Sequence, residues 1–578
     1  MSLSQIDWII IIAFFALSLS ISIFMRKKGS GSMADFFLGG RKMPWLLAGV
    51  SMVATTFAAD TPLAVTELVA KHGISGNWLW WSFLAGGMLT TFFFAHLWHK
   101  AGVLTEVELV ELRYSGKPAA LLRGFKAIYL GLFMNVLIMG WVNLALVAIL
   151  EIFFGIQAQE SLKYVLAAML IAAAYSSISG IWGIAVTDAV QFVVAMTGTI
   201  ILAVLVLRDP AIGGVSGLQE SLPASSFQFF PSLEEQGLGK TLSLSIGSFL
   251  AYMTMQWWAS WYPGAEPGGG GYVAQRFMST KNSNHAAYAS LFFQVAHYCL
   301  RPWPWILVAL ASLVLYPDLA DPKHGYILAM RDFLPSGLKG LLLTAFFAAY
   351  MSTISTQLNW GASYLVNDGY KRFIRPDASE KDLVKASRII TLLLMLVAAV
   401  ITSFMDSISG VWTFLIECGA GLGLVLILRW YYWRINAWSE ISASLAPFLG
   451  YAIAHFGFDW VFPNSFFFTL GFTTLTWVLV TMNTKPTNSD TLRRFYEKVK
   501  PQGFWDPIRK TLADPPPSRS LIWHVLAWIS GIIFTYSLLF LTGYFFFGNA
   551  QEILLCAGIS LVSLIIMVWI IRTKKLWH

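Results

Sequence analysis

Charge is what this sequence lacks most. Only 12% of its 578 residues are Asp, Glu, Lys or Arg, while 57% are hydrophobic. A soluble domain carries roughly 25% charged residues, so a water-soluble fold is excluded and a polytopic membrane protein is implied. Cysteine is also scarce. The three present (Cys299, Cys418 and Cys556) lie apart in apolar stretches, without metal-type spacing, and read as packing residues. H-E-x-x-H, G-x-S-x-G and clustered His/Cys patterns are missing, which removes the common routes to intramembrane metal or nucleophilic catalysis and points away from an enzyme. No organic cofactor motif appears. No ring of selectivity residues is recognisable either, which weighs against a channel.

What the chain has in quantity is apolar runs. Windows of about 20 residues place fifteen spans: 6–25, 44–70, 78–98, 120–153, 161–181, 187–207, 242–263, 285–316, 338–366, 386–405, 409–433, 441–458, 464–482, 521–547 and 552–572. The first has no basic region before it and no A-x-A site, so it reads as a true span and not a signal peptide. With the N-terminus outside and the C-terminus cytoplasmic, 31 of the 39 Lys and Arg fall on the inner side. Seven fall outside, and Arg301 lies within a span. The positive-inside rule thus sets an orientation in a plasma (inner) membrane. The net charge of +8 is accounted for by topology. It needs no nucleic acid, and anionic lipid headgroups suffice as partners of the basic patches. The cytoplasmic stretch 483–520 reads as a solvated linker with one short helix, a regulatory role being the alternative.

Ionisable groups inside a span are costly and mark function by default. Here they are Asp60, Glu67, Asp188, Arg301 and Glu417. Beside them stands "AAYMSTISTQLNWG" (348–361), with Ser352, Thr353, Ser355 and Thr356 within five positions. One hydroxyl in a membrane helix is ordinary interhelical glue. Ser352, Ser355 and Thr356 share a helical face, with Thr353 one step round it. Together they form an oxygen surface suited to a hard cation, by analogy with all-oxygen cation sites.

Backbone gives a further clue. Pro62 in "SMVATTFAADTPLAV" (51–65) interrupts one apolar helix, and "QWWASWYPGAEPGGGGYVAQR" (256–276) ends another in two prolines and four glycines. Irregular backbone at membrane depth is tolerated only against protein or a cavity. Two interrupted segments, each opening a group of five spans, are the pointer to a transporter with inverted repeats, spans two to six and seven to eleven. The expected organisation is therefore 1–43 extra helix and linker, 44–207 first repeat, 208–241 outer loop, 242–433 second repeat, 434–482 two further helices, 483–520 cytoplasmic basic loop, and 521–578 two C-terminal helices with a tail.

Three stretches carry a resemblance. "FFLGGRKMPWLLAGVSMVATTFAAD" resembles the "FLAGR-x-x-PW" signature of the sodium:solute symporter family. "GIWGIAVTDAVQ" (180–191) is similar to its fifth core helix, and "AAYMSTISTQLNWGASYLVNDGY" (348–370) to its eighth. The resemblance spans roughly residues 5–480 and implies an all-α fold of the leucine-transporter type, with ten core helices in two inverted repeats. It implies Na+ as coupling ion, held by the carbonyls of Ala54, Phe57 and Ala349 and the hydroxyls of Ser352 and Thr353. A possible second sodium would map to Asp188 with Ser352, Thr353, Ser355 and Thr356, as in sialic acid transporters of the family. The implied function is sodium-driven symport of a small polar solute by alternating access. Proton coupling through Asp188, or a transporter-like sensor, are the alternatives.

For the substrate, the candidates are Arg301, Asp60, Thr61, Glu417 and Trp258. Arg301 falls where sugar-transporting relatives carry a lysine, and Thr61 and Asp60 fall where they carry sugar-contacting Gln and Glu. Two uses of Arg301 are open: a permanent ion pair with Asp60 or Glu417, or capture of a substrate carboxylate in its planar fork. The second favours an anionic or zwitterionic solute. The partners expected are that solute and the lipid bilayer, with no obligatory protein partner evident.

Overall fold

The computed structural model describes residues 3–26, 32–231, 243–405, 408–512 and 521–577. Lys27 and Lys28, part of the outer loop (232–241) and the end of the cytoplasmic loop (513–520) lie outside the described residues. The rest is helical, with two isolated bridges in place of sheet.

In chain order the main helices are α1 (Gln5–Met25), α2 (Trp45–Thr56), α3 (Asp60–His72), α4 (Ile74–Ala101), α5 (Gly116–Phe154) and α6 (Ala158–Leu207). Then come α7 (246–259), α8 (Gly271–Ser279), α9 (Ser283–Leu315), α10 (Leu338–Ile374) and α11 (Glu380–Thr402). The series ends with α12 (Ile408–Cys418), α13 (Leu422–Tyr431), α14 (Ala437–Ala452), α15 (Asn464–Asn483), the short α16 (Ser489–Val499), α17 (Ile522–Phe547) and α18 (Ala550–Lys574). Among the described residues, ten helices are long and apolar enough to cross a membrane, or twelve when α2–α3 and α12–α13 each count as one bent span. Of the fifteen expected spans, 161–181, 242–263 and 441–458 are helical but fall short of that test. The first is the early part of the bent α6, the second is interrupted, and α14 has only 16 residues.

Three interruptions define the centre of the molecule. The α2–α3 pair bends by 55° at residues 57–59, where Phe57 leaves the helix at φ −87°, ψ 70°. Pro62 lies two residues past the start of α3, inside its first turn, where a missing N–H costs nothing. The interruption is therefore three to five residues upstream of the proline that signals it. Between α7 and α8 the chain is unwound from Ser260 to Gly270. The third break, at 419–421 between α12 and α13, was not foreseen. It pairs with the second: Trp261 N donates to Gly419 O at 3.3 Å and Gly421 N to Ala259 O at 3.0 Å. Backbone groups that leave one helix thus find partners in another broken helix, as a dry interior demands.

Gly180 divides α6. Its φ of +57° is open to glycine, and a Cβ there would come within 2.6 Å of the Phe36 carbonyl. The bend lets the segment Met33–Leu38 lie against it, closed by Trp182 Nε1 donating to Gly39 O at 3.0 Å. Helix α10 runs along α6 through the middle of the molecule, while α1, α17 and α18 are largely exposed at its periphery.

The stretch expected to face the cytoplasm departs from expectation. Leu492, Phe495, Tyr496 and Val499 of α16 follow the i, i+3, i+4, i+7 pattern of an amphipathic helix and are buried. Trp505 is buried too, its Nε1 donating to Trp430 O at 2.8 Å, and the Arg113 guanidinium lies 4.8 Å from its ring. The described part of the segment, 483–512, is a packed clamp and not a solvated linker, because its apolar face has the ends of α4 and α13 to cover. Several cations assigned to the inner side by the sequence are likewise used within the protein. Arg123 pairs with Asp368 at 2.6 Å, Arg429 with Glu106 at 3.4 Å, and Lys126 with Glu440. Trp505→Ala is expected to cost about 3–5 kcal/mol, the range for emptying a buried aromatic site. Thermal unfolding of the purified protein would register it, with the exposed Arg494→Ala unchanged.

Candidate functional site

The first two breaks border a cavity of about 90 Å³, and the third is tied to the second by the backbone bonds above. Its walls are aromatic: Trp80, Phe83, Trp141, Tyr262, Tyr272, Tyr298 and Trp412. Its polar groups are Thr55, Thr56, Asp60, Thr61, His297, Arg301, Thr353 and Gln357. Apolar walls with a few convergent polar atoms are the general form of a small-molecule site.

Arg301 is fully buried on α9. Its Nη1 donates to Thr56 Oγ1 at 2.7 Å and to Val53 O at 3.2 Å, at the unwinding end of α2. Its plane lies 5.1 Å from the Trp305 ring and 5.6 Å from that of Phe57. Among the described residues Nε and Nη2 have no hydrogen-bond partner, and neither has Asp60 Oδ1 at the start of α3. Arg301 and Asp60 thus face the same cavity without forming the ion pair that was one of the two expected uses. Thr61 closes the break, its hydroxyl 3.4 Å from Thr56 O. His297 Nδ1 lies 3.1 Å from Thr56 Oγ1.

Two of the expected substrate residues are elsewhere. Glu417 is buried on α12 but does not line the cavity. Trp258 points away from it, with Nε1 donating to Thr254 O at 2.7 Å. The aromatic residues on α4 and α5 (Trp80 and Trp141) were not anticipated, because a tryptophan in an apolar run reads as packing.

Below the cavity, α10 brings its hydroxyls against α2 and α6. Thr353 Oγ1 donates to Thr55 O at 3.0 Å and to Ala349 O at 3.2 Å. The Thr353 hydroxyl, the Ala349 carbonyl and the unwinding end of α2, which carries Ala54 and Phe57, are thereby brought to one place. The Ala54 carbonyl receives Phe57 N at 3.0 Å. Ser352 Oγ donates its proton to Asp188 Oδ1 at 2.6 Å, while Ser51 donates to Oδ2 at 2.6 Å. Ser355 donates to Ser352 O at 3.0 Å, and Thr356 faces Thr55 at 3.3 Å. All four hydroxyl residues are buried. These four side chains contribute only oxygen atoms, a donor set that suits a small hard cation as well as the hydrogen bonds now present.

A sequence pattern for the sodium:solute symporter family matches residues 36–447. That is well over half of the chain. The chain belongs to the sodium:solute symporter family. Relatives include the sodium/glucose cotransporter of Vibrio parahaemolyticus, 23% identical over 522 residues, covering 84% of this chain and 92% of that one. Another is sodium/myo-inositol cotransporter 2 of Oryctolagus cuniculus, 23% identical over 442 residues, covering 69% of this symporter and 61% of the relative. The substrate-bound, outward-open structure of a sodium-coupled sialic acid symporter superposes with a TM-score of 0.68 at 19% identity, covering 84% of this chain and 99% of that one. At that identity the likeness is one of fold. The symporter is an integral membrane transporter, not an enzyme.

Proposed function

We propose that the symporter imports a small zwitterionic or anionic organic solute together with sodium, by alternating access. The observation that carries the substrate half is the pair of unsatisfied charged groups in one cavity: Arg301 Nε and Nη2, and Asp60 Oδ1. Buried charges left unpaired are expensive. A ligand bearing a carboxylate, with an ammonium for Asp60, would remove that cost where an uncharged sugar would not.

The sodium half rests on family membership and on the oxygen set of Ala54, Phe57, Ala349, Ser352 and Thr353. Both halves meet at the end of α2. Arg301 holds Val53 O and Thr353 holds Thr55 O, so carbonyls on either side of Ala54 are fixed by the substrate residue and by the ion-site residue. Sodium binding would order that end of α2 and with it the hydrogen-bond partners of Arg301, and the solute would complete the site. Rocking of one group of helices against the other would then open it inward. The N-terminus is assigned to the outside of the plasma membrane and the C-terminus to the cytoplasm. Each sodium entering at −100 mV releases about 2.3 kcal/mol, and a tenfold gradient adds about 1.4 kcal/mol. One ion per cycle therefore sustains several-hundred-fold accumulation of a neutral solute.

The test is thermal stability of the purified protein in sodium and in choline, across amino acids, carboxylates and sugars. A zwitterion or carboxylate that stabilises in sodium alone is the expected result. Stabilisation by a sugar only would overturn the substrate class, and stabilisation independent of sodium would overturn the coupling.

A further inference from the structure

The pocket around Asp188 already contains a cation. Arg276 stands on α8, just past the glycine-rich break, and is 1% exposed. Its Nη2 donates to Thr356 Oγ1 at 2.9 Å, its Nη1 to Gln275 Oε1 at 3.0 Å and its Nε to Ser51 Oγ at 3.4 Å. Ser51 passes its own proton to Asp188 Oδ2. One hydroxyl thus accepts from the guanidinium and donates to the carboxylate, the polarity that a bridge between opposite charges requires.

These are the oxygens a second sodium would need. The Thr356 hydroxyl presents a lone pair to Arg276, the Ser352 proton is directed at Asp188, and Ser355 is bonded back to its own helix. Thr353 faces the end of α2. A sodium coordinated by Asp188 and Thr356 together would lie beside a guanidinium that cannot leave, and like charges this close in a low-dielectric interior exclude one another. Asp188 is neutralised without it.

We infer that Arg276 is a tethered substitute for the second coupling cation, so that the symporter binds a single sodium, at the set of Ala54, Phe57, Ala349, Ser352 and Thr353. This rests on the sodium-coupled reading above. The guanidinium supplies the static function of such an ion, joining α2, α8 and α10 around Asp188. It cannot supply the energetic one, because it never crosses the membrane. Accumulation is then limited to what one ion drives.

The experiment is equilibrium binding of radioactive ²²Na+ to the purified full-length protein in choline buffer. The wild type is expected to bind one sodium per chain with a Hill coefficient of one. Arg276→Met is expected to bind two, with a Hill coefficient above one, and Arg276→Met combined with Asp188→Asn to return to one. Arg276→Gln, which keeps a donor for Thr356 and loses the charge, serves if the methionine variant does not fold. Two sodium ions on the wild type would overturn the inference, and so would a folded Arg276 variant that still binds one. The wild-type count is decisive even if neither variant folds. A wild type that binds none at saturating sodium would instead overturn the sodium-coupled reading itself.

Discussion

Arg301→Met is expected to weaken solute binding by at least roughly 30-fold while leaving sodium binding measurable. Truncating one partner of a buried, hydrogen-bonded charge pair costs about 2–5 kcal/mol, which is roughly 30-fold to several-thousand-fold in affinity. Arg301→Lys is expected to fall in the same range, since an ammonium cannot present the two parallel donors of the guanidinium fork. Asp60 supplies the complementary measurement. Asp60→Asn should weaken binding of a zwitterion by about 2 kcal/mol or more, some 30-fold, and leave the corresponding carboxylate without an amino group nearly unaffected. Titrating both compounds against wild type and the two variants, read as solute-dependent thermal shifts in sodium, forms a cycle. If Arg301→Met left the affinity for the carboxylate unchanged, Arg301 would be a structural residue bound to Val53 and Thr56.

The cycle also separates binding from folding. Arg301 makes two hydrogen bonds to the end of α2, so its loss will lower stability. A purely structural role would reduce stability for every solute alike. A clamp acts only on those with a carboxylate.

Some of this was legible in the sequence, and the boundary has physical reasons. Membrane class and the oxygen-rich face of α10 follow from composition and 3.6-residue spacing, which local chemistry controls; the count of fifteen spans does not, since at most twelve among the described residues are long and apolar enough. Breaks were announced by Pro62 and by the glycines at 268–271, yet the first lies upstream at 57–59, because proline only excludes certain helix positions and does not choose among the rest. The break at 419–421 carries just Gly419 and Gly421 as signal, and its partner, the unwound 260–270 stretch, is about 150 residues away. Arg276 shows the limit most clearly. It falls between two expected spans and counts there as an ordinary inner-side cation. Only tertiary structure turns α8 inward and sets that charge against Ser51 and Thr356. Glu417 and Trp258 illustrate the reverse case, since residues on a broken helix can face away from the cavity that the break creates.

Thr353→Val is the variant that separates sodium from solute. Valine matches threonine in shape but lacks its oxygen. The change removes the hydroxyl that joins Thr55 O to Ala349 O and leaves the packing of α10 nearly intact. Loss of one polar contact to a charged species is worth about 1.5–3 kcal/mol, so sodium affinity is expected to fall roughly 10- to 150-fold. By reciprocity of linked binding, the solute affinity at a fixed subsaturating sodium concentration must fall with it. It must recover when sodium is raised far enough. Arg301→Met would show no such recovery, because no concentration of sodium restores a missing fork. Thr353→Ser, which keeps the oxygen, should stay within a few-fold of wild type. Sodium titrations of solute-dependent uptake in proteoliposomes read all three. If Thr353→Val left the sodium dependence unchanged, the ion would have to bind elsewhere on the molecule, and the hydroxyl face of α10 would be left with a purely structural role.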